Sequence, residues 1–200
     1  EIAVALSAGP TYLREGAGVY VLNSQGYELK RKSANGFTCL VERNHPDSLI
    51  PQCFDKRSSN AHVALLLDEG KLISQGISFT EISERREKAL ADGVYPPAEG
   101  PGLVYMISDY NFVGGESGEI LKIAPHMMYH APDLSHSDIG SDPGQALQNR
   151  GLPIIASEGP HGFMISFVQK SSDSSAVQSA CAGQIPDSSE FRRFPPTVEQ

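Results

Sequence analysis

Nineteen glycines and fourteen prolines punctuate this 200-residue chain. Proline has no backbone donor and interrupts helices, and glycine weakens the interior of any element, so many turns and short elements are expected rather than a helical bundle. Helical signals gather in one region, residues 59–93. The apolar runs on either side are short and bounded by turn residues, as strands are.

Residues 1–17 read as an arm packing on the body, with Ile2, Leu6 and Ala3 on one side of a short helix. Residues 18–43 read as a β-meander. Val19–Leu22 is a short apolar run that ends in the turn composition of residues 23–26. Over residues 27–32, Tyr27 and Leu29 fall on one face and Glu28 and Lys30 on the other. Asn35-Gly36 is a hairpin signal, because both positions tolerate positive φ, and it predicts a return through Phe37–Val41. Residues 44–60 show no clean period and read as a loop. A helix capped by Ser59 or Asn60 runs to Leu72-Ile73, with Gly70 marking a bend or break and Gly76 its end. Ser78-x-x-Glu81 is a capping box opening a second helix with Ile82, Ala89 and Leu90 as its stripe, closed by Gly93. The charges at 84–88 read as its solvated face.

Residues 95–102 (YPPAEGPG) form a loop delivering the chain to a buried strand, Leu103–Ser108. Residues 109–118 read as a hairpin loop from which Ile120–Ala131 pairs back antiparallel. Pro125 puts that strand at an edge, gives it a bulge, or breaks it at 124–125. Two further strands, 152–156 and 163–168, are joined by a glycine-rich turn. Residues 169–200 are serine-rich and poor in large apolar groups, and so read as a disordered tail or one ordered by a partner, with Phe191 and Phe194 as its anchors. The expected fold is α+β. A single domain over residues 1–168 holds an antiparallel sheet of about six or seven strands, with the helical pair on one face or end.

The net charge of −8 argues against binding nucleic acid, since that affinity comes from neutralising phosphates, and against adhesion to anionic membranes. No apolar run is long enough for a transmembrane helix. The chain begins at Glu1, as expected where a leader has been removed or the start trimmed. Cys39 and Cys53 enclose a short polar loop. In an oxidising compartment they would form a bridge worth roughly 3 kcal/mol; otherwise they are two unrelated thiols, one of them in a strand. Their spacing is not that of CxxC redox or zinc-ribbon patterns. Cys181 is left over, in the tail.

Polar chemistry concentrates in Gly118–Pro132. His126 and His130 lie four apart, on the same face of a strand but roughly 13 Å from each other. His161 sits in a glycine-flanked turn. A three-histidine metal site from His126, His130 and His161, or one using His136, is open geometrically, against the simpler reading of core histidines bonded to backbone. Tyr105, Tyr129 and nearby methionines line either a cavity or plain core. The loop aspartates, including the Asp138 and Asp142 pair, lack the core and terminal Glu of a calcium loop. The chain has no G-x-S-x-G elbow or phosphate-binding glycine loop, and Gly114-Gly115-x-x-Gly118 reads as a hairpin loop. No catalytic residue and no cofactor is expected.

Three stretches, ALSAGP near the start, NGFTCLVER at 35–43 and PHMMYHAP at 125–132, resemble an uncharacterised family of exported bacterial proteins over roughly residues 1–168. The resemblance implies export, periplasmic or extracellular, and favours the 39–53 bridge. It matches His126 to the family's Pro-His and leaves His130 where an aromatic or apolar residue is expected. It assigns no function. The leading expectation is an exported binding or interaction domain, or an accessory subunit of a cell-envelope assembly, whose 169–200 tail engages a protein partner. The alternative is a small enzyme or ligand binder in which His126, His161 and Tyr105 line a pocket, with metal assistance through His126, His130 and His161.

Overall fold

The computed structural model describes residues 1–115, 117–186, 189 and 191–195. It is a mixed α+β fold with two sheets. The larger has eight strands, ordered Gly26–Arg31 (β2), Gly18–Asn23 (β1), Thr38–Glu42 (β3), Ile50–Phe54 (β4), Leu103–Met106 (β5), His126–His130 (β8), Phe163–Phe167 (β10) and Ile154–Ser157 (β9). The smaller joins Arg192–Phe194 (β11), Ile120–Ile123 (β7) and Phe112–Gly114 (β6).

The first three strands do not form the expected meander. The tight hairpin is at residues 23–26, where Asn23 pairs with Gly26 and Gly26 has φ +105°. The chain then crosses the start of β1, and β3 pairs parallel to β1 through Gly18–Thr38 and Val19–Cys39. Asn35-Gly36 serves that crossing instead of a hairpin. The Asn35 carboxamide donates to the Leu13 carbonyl and accepts from the Phe37 N–H, tying the crossing to the N-terminal arm.

The segment expected to be a loop contains β4, a central strand with all five residues buried. It pairs antiparallel with β3, placing Cys39 opposite Cys53, and these two cysteines are bonded to each other. Their Cα atoms are 4.1 Å apart, the close spacing of a non-hydrogen-bonded pair. Pro51, two residues away in the same phase, therefore directs its missing donor toward β5, whose ladder reaches only Cys53 and Phe54. That is how a proline fits inside this sheet.

Side chains alternate across β3 and β4 into two cores. Cys39, Val41 and Cys53 pack with Val4, Ala5 and Ala8 of helix α1 (Ile2–Ser7) and its cap, and with Val177 of helix α7 (Ser175–Ala180). The buried stripe of α1 is thus Val4, Ala5 and Ala8, leaving Ile2 46% exposed. A single turn, α2 (Thr11–Arg14), follows. On the opposite face, Leu40, Ile50 and Phe54 pack with Val63, Leu66 and Val104.

The helix on that face starts earlier than Ser59. Asp55 caps it, accepting from the Ser58 N–H at 2.8 Å, and also accepts from the Leu103 N–H at 3.1 Å. A short α3 (Lys56–Ser58) leads through a π turn at Ser59–Val63 into α4 (Ala64–Ser74). Gly70 is a point of close approach, since a Cβ there would lie 2.3 Å from the Tyr27 ring. Helix α5 (Phe79–Ala91) opens at Ser78, whose hydroxyl accepts from the Glu81 N–H at 3.2 Å. Its charged face is not wholly solvated, because Arg86 donates to both oxygens of Glu69 and to Glu42, each at 2.5 Å.

The chain breaks at Ala124-Pro125, which separates β7 from β8 and assigns them to different sheets. β8 lies inside the large sheet between β5 and β10. Helix α6 (Pro143–Gln148) is capped by Asp142, which accepts from the Gln145 N–H. Beyond residue 168, Val177 is 1% exposed, the Phe191 ring meets Phe112 edge-on with centroids 5.2 Å apart, and β11 pairs parallel to β7. Residues 187, 188, 190 and 196–200 of the expected tail lie outside the described residues. Among those described, no helix is long and apolar enough to cross a membrane.

Candidate functional site

The histidines singled out in the sequence separate into different surroundings. His126, at the start of β8, is 5% exposed. Its Nδ1 donates to the Ala124 carbonyl at 2.8 Å, its ring meets Phe167 edge-on, and burial lowers its pKa. His130, at the other end of the strand, packs edge-on against His62 of the π turn, with ring centroids 5.0 Å apart. Tyr105 sits on β5 against Phe37, its pKa raised by burial and then by the neighbouring Tyr12 hydroxyl. Cys39 and Cys53 form the disulfide, and Cys181 is free and half-buried. His136 bonds to Ser141, and Asp138 accepts from Ser135.

His62, which periodicity alone assigns to a helix, is the histidine that the fold brings to His130. Burial pushes its pKa down to about 4, helped by His130, His161 and Arg86. His130 is also lowered by burial, against the opposing pull of Asp55. Both ring nitrogens of His130 and the Ser58 hydroxyl are buried without a hydrogen-bond partner. Gly102 roofs this group; a Cβ there would lie 2.7 Å from Ser58 Oγ and 3.0 Å from the His130 ring. The result is a packed set of neutral imidazoles. Among the described residues, no group of three or more His, Cys, Asp or Glu is placed to hold a metal ion.

An opening lies at the small sheet. A cavity of about 250 Å³ is lined by Asp109, Lys122, Ile123, Ala124, Pro125, Arg150, Arg193, Phe194 and Pro195. Four segments line it: the loop at Asp109, the end of β7 through Pro125, the turn at Arg150, and β11 with Pro195. Lys122 is on β7, the central strand, with Phe112 of β6 opposite on one side and Arg193 of β11 opposite on the other. Pro125 follows the end of β7, where the Ala124 N–H still donates to the Phe194 carbonyl at 2.8 Å. Arg150 arrives from the turn after α6.

Charge distinguishes this cavity from the rest of an acidic chain. Three cations face one carboxylate. Lys122 Nζ lies 3.9 Å from Asp109 and 6.0 Å from the centroid of the Phe112 ring. The Arg150 and Arg193 side chains have no ion pair or hydrogen bond among the described residues. Lys122 and Arg193 are register partners across the parallel β7–β11 pair, which sets two like charges on neighbouring strands. The neighbouring Arg192, by contrast, is paired with Glu119 at 3.1 Å. Two uncompensated positive charges beside apolar walls suit a small anion, which would supply the missing charge and accept from the guanidinium forks. No local pattern in the sequence points to this site, because its cations at 122, 150 and 193 are brought together only by strand register and by the turn after α6.

No known protein family, curated protein or solved structure matches the chain.

Proposed function

We propose that this is an exported binding domain that captures a small anion in the cavity between β7 and β11. The observation that carries this reading is the direct opposition of Lys122 and Arg193, joined by Arg150, in one cavity of a chain with net charge −8. An arrangement that costs stability when empty is the expected signature of a site completed by its ligand. The apolar flank of Ile123, Ala124, Pro125 and Phe194 gives the rest of the ligand a surface to lie on beside the charges. In this reading the described part of the serine-rich segment provides one wall of the protein's own site. Export rests on the disulfide, which persists in oxidising compartments.

Isothermal titration of the full chain with phosphate, sulfate and carboxylates tests the proposal. Saturable binding is expected that weakens as salt rises and that falls at least about tenfold in the Arg150→Gln, Arg193→Gln double variant. Equal binding by that variant, folded to the same circular dichroism spectrum, would overturn it.

A second reading rests on the His62–His130 pair, with its unpartnered nitrogens beside Ser58. The two imidazoles and the Ser58 hydroxyl are packed closely under Gly102, and their unpartnered atoms suit a neutral hydrogen-bonding group as small as a water molecule. Gly102→Ala would crowd that group against Ser58 Oγ, and unchanged binding of a neutral hydrogen-bonding ligand in that variant would remove this reading.

A further inference from the structure

We propose that the ligand of the cavity is a compact dianion with an apolar body, its head a phosphate monoester or a pair of carboxylates. This rests on the anion-binding reading above and goes beyond it in fixing charge number and shape.

The charge number follows from the lining. Among the described residues, Lys122, Arg150 and Arg193 stand against Asp109 alone, so two positive charges remain to be met. A monoanion leaves one of them in place beside the opposed Lys122–Arg193 pair. A dianion neutralises both and removes the repulsion across β7 and β11. The two arginines present planar forks matched to phosphate and carboxylate oxygens, and neither has another partner among the described residues.

The shape follows from volume and wall. About 250 Å³ exceeds what a bare phosphate or sulfate fills, so a free inorganic anion would leave part of the cavity to water. The remaining lining is apolar: Ile123, Ala124, Pro125, Phe194 and Pro195. An apolar body laid on that wall gains affinity by leaving water, and the Phe194 ring, 38% exposed, offers it an aromatic surface. Asp109, half-exposed and 3.9 Å from Lys122, repels any further negative group on its side, so both charges of the ligand belong toward the arginines.

Four probes separate these elements in titrations of the full chain: phenyl phosphate, phthalate, benzoate and inorganic phosphate. The expected result is that phenyl phosphate or phthalate binds at least about tenfold tighter than both benzoate and inorganic phosphate. The tighter of the two dianions identifies the head. Arg193→Gln and Arg150→Gln should each weaken the better dianion by about tenfold or more, and weaken benzoate less. Benzoate binding as tightly as phthalate would overturn the dianion class while leaving an anion site standing. Inorganic phosphate equal to phenyl phosphate would overturn the apolar body. If none of the four binds, the anion-binding reading itself falls, whatever the variants do.

Discussion

Arg86, against the eight-stranded sheet, donates to Glu42 and to both oxygens of Glu69, whereas Arg193, in the three-stranded sheet, stands opposite Lys122 and meets no carboxylate among the described residues. The Arg86 guanidinium is held between α5, α4 and β3, whereas Arg193 is exposed at the cavity. The first is matched by its own fold: its pKa is raised, chiefly by Glu42, while burial pushes the Glu69 carboxyl upward against the pull of Arg86. The second is not matched. The same contrast runs through the two sheets. In the large sheet a disulfide joins two central strands, and β3 and β4 pack into apolar cores on both faces. The small sheet carries an open cavity with surplus cations. A guanidinium held by carboxylates of its own fold contributes stability, and one left unmatched beside a cavity is where an anion belongs.

The comparison breaks most sharply if the two arginines behave alike on removal. Arg86→Ala strands two buried carboxylates side by side and should cost roughly 3–5 kcal/mol in urea unfolding. A loss under about 1 kcal/mol would show that the Arg86 network is not what ties α5 and α4 to β3.

Next in size is the disulfide. The Cys39→Ala, Cys53→Ala double variant should lose about 3 kcal/mol, the loop-closure contribution expected for a sequence separation of 14. Dithiothreitol should lower the melting temperature of the native chain and leave that of the variant unmoved.

The histidine pair sharpens the same contrast through pH. His62 has its pKa depressed to about 4 in the fold, against about 6.5 when unfolded. Between those values the unfolded chain binds the extra proton, so stability falls as pH drops from about 6.5 to about 4. The loss attributable to His62 is on the order of 3 kcal/mol. His62→Leu should flatten the profile in that window, and an unchanged slope would assign the acid sensitivity elsewhere.

The smallest effect is the most discriminating. Arg193→Gln removes a charge that opposes Lys122, so stability should stay level or rise by up to about 1 kcal/mol. A clear destabilisation would mean that Arg193 already has a partner in the native chain, and the contrast with Arg86 would disappear.

Legibility in the sequence follows how local each cause is. Ser78 and Glu81 mark the start of α5, and Pro125 marks the break before β8, because caps and missing donors act within a few residues. The 154–167 hairpin likewise shows in two apolar runs and a glycine turn. β4 is hidden, since Pro51 and Gln52 interrupt its apolar run, and only the phase of the β3 pairing shows why proline is tolerated. Asn35-Gly36 carries a local hairpin signal that is overridden, because Asn35 bonds to the N-terminal arm and β3 finds a buried place beside β1. The site is the least legible part. His126 draws attention by its position after a proline, yet its ring is satisfied by its own backbone. Lys122, Arg150 and Arg193 look like ordinary surface charges until the register of β7 and β11 sets two of them opposite each other.

The most direct test of the anion site is to watch the guanidinium groups themselves. Arginine side-chain Nε–Hε signals, assigned by single Arg→Lys variants, can be followed by NMR while phenyl phosphate is titrated. The signals of Arg150 and Arg193 should shift together along one saturating curve, while that of Arg86, already held by Glu42 and Glu69, stays still. Unmoved Arg150 and Arg193 signals at saturating ligand, or equal movement of Arg86, would contradict the account.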